Sequence, residues 1–109
     1  MSVTTLRQAL RIEIELYRIL VRPYKDLQST EDKVVRVFND DVNPTELVWH
    51  RDRENRIIKI LEPGYNWHFQ FEDELPFKIE SNMTITVSMG EWHRVIKGQG
   101  DLKVEIFKY

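Results

Sequence analysis

From Lys33 to Phe107 the chain breaks into short apolar-alternating runs, each closed by a turn signal. Lys33–Phe38, Glu46–His50 (continuing to Asp52), Arg56–Leu61 and Asn66–Phe71 are the first four. Pro76–Glu80, Met83–Val87, His93–Ile96 and Leu102–Phe107 follow. Between them stand Asn39-Asp-Asp, Asn43-Pro44, Pro63-Gly64, Gly98 and Gly100, residues that favour turns. None of these runs reaches the length of an ordinary helix, and several alternate with period two. In Met83–Val87, for example, Met83, Ile85 and Val87 alternate with Thr84 and Thr86. Many short strands with regular turns predict an all-β sandwich or closed barrel.

The N-terminal stretch has a different character. Thr5-Leu-Arg-Gln8 has capping-box spacing, and Leu6, Leu10, Ile14, Tyr17 and Val21 recur at helical intervals. This predicts an α-helix over 5–21 that stops before Pro23. Ile12-Glu-Ile14-Glu-Leu16 also alternates with period two, so a strand over 12–20 stays open. The expected organisation is an N-terminal helical appendage over 1–28 and a β-barrel over 29–109.

Composition removes several classes of function. In 109 residues there are 16 basic and 18 acidic side chains, a net charge of −2. That near balance offers no broad basic surface for nucleic acid. The chain has no cysteine, which excludes disulfides, thiolate metal sites and thiol nucleophiles. No apolar run is long enough to span a membrane. Arg7, Arg11, Glu13 and Glu15 stand where a signal peptide would be apolar, so a cytoplasmic protein is expected.

The chemistry-bearing residues concentrate in two stretches, His50–Gly64 and Asn82–Lys97. His50 and Asp52, two apart at the head of an expected strand, point to one face. His93 follows the turn Ser88-Met-Gly90 and adds a third candidate ligand if the two stretches meet. Trp67, Phe69 and Phe71 share one face of their run, with His68 and Gln70 on the other. The three aromatics are expected to line or fill the barrel, and Trp67 and Phe69 are candidate substrate contacts. Gln70 and His68 would face the pocket only if the two faces are exchanged. Trp49 and Trp92 flank His50 and His93, so alternation turns them to the opposite face, toward the helix or a dimer contact.

These two stretches resemble the paired motifs of the cupin superfamily, small jelly-roll barrels of double-stranded β-helix (RmlC-like) type. His50 stands at the first motif's first His and Asp52 at its second, with Pro63-Gly64 at the closing Gly. Gly90 and His93 match the second motif. Arg56 departs from the motif's Glu, Asn82 from its Gly, Ser88 from its Pro and Lys97 from its Asn. The resemblance covers residues 33–108, and the chain is about the size of short cupin-like proteins of bacterial and tailed-phage genomes.

The resemblance implies one divalent metal (Fe, Mn, Ni or Zn) held by His50, Asp52 and His93. It implies a small-molecule ligand in the barrel beside that metal. If the protein is an enzyme, metal-dependent oxidation or isomerisation of a small polar substrate is expected. Arg56 replaces an anionic ligand by a cation and could instead hold an anionic substrate by a bidentate contact. The rival expectation is a metal-free binding or assembly module, such as a homodimer, in which Asp52 and Arg56 form an ion pair. Metal-free sugar or sugar-nucleotide recognition by Arg56 and His50 is a third.

Overall fold

The computed structural model describes residues 22–109, and the expected N-terminal helix lies outside them. Among the described residues, eight strands form two antiparallel sheets. β1 (Lys25–Ser29), β2 (Lys33–Phe38), β8 (Leu102–Lys108), β3 (Arg56–Glu62) and β6 (Thr84–Val87) lie side by side in that order. β5 (Phe77–Lys78), β4 (His68–Phe71) and β7 (His93–Ile96) form the smaller sheet.

Alternation places the core. In β6 Ile85 and Val87 are buried while Thr84 and Thr86 are exposed. In β8 Leu102, Val104 and Ile106 are buried, each separated by a charged residue. β2 pairs β8 so that Val34 stands opposite Ile106 and Arg36 opposite Val104. β3 extends the same rows, with Ile58 opposite Ile106 and Ile60 opposite Val104. The smaller sheet closes over this face with Phe69, beside the fully buried Trp67 and Ile79. The result is a jelly-roll-like sandwich of two antiparallel sheets.

Two expected boundaries move. Residues 46–52 are not a strand: Pro44–Glu46 forms a short 3-10 turn capped by the Asn43 carboxamide. Pro44 has no N–H for a ladder, and Asn43 takes the Thr45 N–H instead. His50 alone forms an isolated bridge, to His93. Conversely, Lys25–Ser29 joins the sheet as an edge strand inside the stretch assigned to the appendage. All five of its residues are exposed, so no apolar rhythm marks it.

The turn at residues 98–100 is pinned by Trp67. Its indole N–H donates to the carbonyls of Gln99 (3.2 Å) and Gly100 (3.1 Å). Gly98 packs against backbone here; a Cβ would fall 2.1 Å from the Tyr65 carbonyl oxygen.

Candidate metal centre

The site is built by backbone bonds between two irregular segments. His50 N–H donates to the His93 carbonyl at 3.0 Å, and His93 N–H returns a bond to the His50 carbonyl at 2.9 Å. Two residues on, Gly90 N–H donates to the Asp52 carbonyl at 2.9 Å. Gly90 sits at φ +80°, a conformation that glycine adopts without a steric penalty. These bonds hold the His50–Asp52 segment against the turn that precedes β7.

Three ligand-bearing side chains converge as a result. One donor atom each of His50, Asp52 and His93 lies within 4.8 Å of the others. The rings of His50 and His93 meet edge to face at 4.1 Å. His93 is 2% exposed and stacked on Phe69 at 5.5 Å.

Tautomers follow from the hydrogen bonds. His93 Nδ1 lies 2.8 Å from the Glu91 carbonyl and His50 Nδ1 lies 3.2 Å from the Val48 carbonyl. A carbonyl only accepts, so each Nδ1 carries the proton. Burial, opposed by the Glu91 carbonyl and by Asp52, holds His93 below the usual imidazole range. It is neutral at pH 7, and its Nε2 presents a lone pair. That lone pair faces Asp52 Oδ2 at 3.3 Å, and this buried carboxylate oxygen accepts no hydrogen bond. Two acceptors held face to face repel unless a cation lies between them. A divalent ion between them would satisfy both, as would a shared proton. The donor set therefore fits a metal, and two imidazoles with one carboxylate leave further coordination positions open.

Arg56 stands beside this set without cancelling it. Its Nη2 lies 3.4 Å from Asp52 Oδ1, so Asp52 faces both the cation and the histidine. The same guanidinium donates through Nε (3.0 Å) and Nη2 (2.8 Å) to Glu54 Oε1. Glu54 offsets the positive charge that Arg56 brings to the centre. The sequence reading missed Glu54. Its signal was its place two residues before a cation that stands where the cupin motif has a carboxylate.

The centre opens into a cavity of about 360 Å3 between the sheets, lined by Arg56 and Phe69 among others. That volume is at the small end of the range for ligand pockets. Its interior wall is apolar, formed by residues such as Ile58, Ile60, Ile85 and Val104. Two other candidate contacts lie elsewhere. Trp67 is wholly buried and its indole N–H is committed to the turn at residues 98–100. Gln70 is on the outer face, where it accepts from Arg94 Nε (2.9 Å) and donates to the Glu74 carbonyl (2.9 Å). β4 pairs with β7 in the register that turns Phe69 and Phe71 inward, and Gln70 outward with Arg94. Trp49 and Trp92 line a shallow groove on that outer side with Gln70, under Arg94 (4.6 Å) and Arg51 (5.1 Å) respectively. His68 faces away from the cavity, its Nδ1 3.0 Å from the Asn66 carbonyl.

Solved structures that superpose on this chain include cupin domains. The hydroxypropylphosphonic acid epoxidase from S. wedmorenis superposes with a TM-score of 0.61 at 18% identity, covering 79% of this chain and 49% of that one. An RmlC-like cupin family protein from Methanocaldococcus jannaschii gives 0.59 at 14% identity over 78% of this chain and 76% of that one. A cupin domain from Bordetella pertussis Tohama I gives 0.54 at 16% identity over 79% and 91%. The Fe(II) and Co(II) forms of HppE also match, each with a TM-score of 0.60. This chain thus spans about half the length of the epoxidase. At these identities the shared property is the cupin fold. No protein-family model matches the sequence, and no curated protein matches it. Among the described residues no helix is long and apolar enough to cross a membrane.

Proposed function

We propose that this protein binds one divalent first-row transition metal through His50, Asp52 and His93 and holds a small molecule beside it in the cavity. The observation that carries this reading is the buried, unsatisfied Asp52 Oδ2 facing the His93 Nε2 lone pair. The Fe(II) and Co(II) forms of HppE, which share the fold, support it. A metal with open positions would supply Lewis acidity or redox chemistry, which suits oxidation or isomerisation of a bound molecule. This chain's residues do the rest. His50 and His93 keep Nε2 aimed inward by donating Nδ1–H to backbone carbonyls. Phe69 fixes the His93 ring by stacking. The apolar wall excludes water from the bound molecule.

The test is a thermal-shift series with Fe(II), Mn(II), Ni(II) and Zn(II) on chelator-treated, tag-free protein. Binding to the folded state raises Tm. At least one ion raises the wild-type Tm by several degrees, chelator reverses the shift, and His50→Ala abolishes it. A wild-type Tm that no ion moves would contradict the reading.

A further inference from the structure

The cavity has a second polar feature apart from the metal ligands. Five arginines line it, Arg22, Arg36, Arg51, Arg53 and Arg56, against two carboxylates, Glu46 and Asp52. Adding Asp26 and Glu54, which hold two of these arginines, leaves cations in excess at the cavity while the whole chain carries −2. Arg36 is the unexpected member. It projects inward from the middle of β2, in the row of Val104 and Ile60, where an apolar residue would continue the core. Its side chain is only 12% exposed.

Arg36 and Arg56 are held in the same way from different strands. Arg36 donates from Nε (2.8 Å) and Nη2 (3.4 Å) to Asp26 and stacks on Tyr24 at 3.6 Å. Arg56 donates from Nε and Nη2 to Glu54. In both, Nη1 makes no hydrogen bond among the described residues. A buried guanidinium with free donors, fixed by a carboxylate and facing a cavity, is suited to bind an anion. Away from these arginines, Glu46 and the metal ligands, the wall is aliphatic or aromatic.

We propose that the cavity takes a small amphipathic monoanion. Its head is a carboxylate or phosphonate recognised by Arg36, and its body is a short apolar chain or ring against Ile58, Ile60 and Val104. This rests on the cavity being a ligand site and names its ligand class; it does not require the metal. Exposed Arg51 and Arg53 at the mouth add a field that draws anions in.

The experiment is calorimetric titration of the full chain, chelator-treated and metal-loaded, with octanoate, octylphosphonate and 1-octanol. At least one anion binds about tenfold or more tighter than the alcohol, as one charge-assisted contact requires. The two anions against each other tell which head group is preferred. Arg36→Met removes that preference, whereas Arg36→Lys keeps part of it. Equal affinity for octanol and both anions, or no binding of any probe, overturns the proposal. So does an anion preference unchanged in Arg36→Met. Should Arg36→Met fail to fold, the wild-type comparison of anion and alcohol decides. Anion preference without any metal binding would overturn only the metal reading. Metal binding without anion preference would overturn only this one.

Discussion

Asp52 Oδ2 accepts no hydrogen bond although it lies 3.3 Å from His93 Nε2, whose ring donates Nδ1–H to the Glu91 carbonyl instead. A carboxamide at this position would end the conflict, because its NH2 can donate to Nε2. Asp52→Asn should therefore stabilise the metal-free protein by about 1 kcal/mol, the usual net worth of one satisfied hydrogen bond. It should also abolish the metal-induced rise in Tm. Denaturant unfolding of wild type and variant, with and without metal, measures both. A destabilised metal-free variant would mean that Asp52 is held mainly by Arg56.

Glu54 shields the centre from Arg56, which it holds at 2.8 Å. Glu54→Gln leaves a cation 3.4 Å from Asp52 with less compensation. Metal affinity should fall by about tenfold, and Arg56→Met should raise it by a similar factor. Metal titrations on the three proteins at one salt concentration test this, since screening changes the size of the effect.

The buried His93 predicts the direction of a pH effect in the metal-free state. Its folded pKa lies below the ordinary imidazole value of 6.5, so the unfolded chain takes up a proton more readily. This neutral imidazole costs nothing above pH 6.5, where both states are unprotonated. Stability is lost as pH falls from there toward the folded value and then levels off. Comparing Tm at about pH 7.5 and about pH 5.5, the wild type should fall more than His93→Asn. Parallel pH profiles would contradict the assignment of a buried neutral His93.

Gly98→Ala should destabilise the fold by about 3 kcal/mol or more, because its Cβ meets backbone rather than a movable side chain. Loss of the Trp67 anchor at Gln99 and Gly100 should accompany it, read as a red-shifted indole emission. An unchanged denaturation midpoint would mean that the turn at residues 98–100 relaxes freely.

The barrel was legible because burial has a period. Met83–Val87 and Leu102–Phe107 alternate cleanly, and those strands appear within a residue or so of their expected bounds. β1 was not legible, since a polar edge strand has no buried face to mark it. Residues 46–52 misled in the opposite sense: Leu47 and Val48 are apolar, but Pro44 and Asn43 turn the chain before a ladder can form. His50, Asp52 and His93 were found from spacing and resemblance, although the expected strand geometry was wrong. What brings them together is the His50–His93 bridge and the Gly90–Asp52 bond, which link distant segments and leave no local pattern. Gln70 lies on the outer face with Arg94, opposite the aromatics as the alternation implied, so its candidacy as a substrate contact would have needed the two faces exchanged. Arg36 was passed over because a charged residue in an alternating strand reads as outward-facing.

The central claim is a divalent ion held by His50, Asp52 and His93, and metal content tests it most directly. Tag-free protein is loaded with Fe(II), Mn(II), Ni(II) or Zn(II), desalted, and analysed for metal per chain beside His93→Ala. The account predicts close to one ion per wild-type chain for at least one metal and almost none in the variant. Wild-type protein that retains no ion, or a variant that retains as much as wild type, would contradict it.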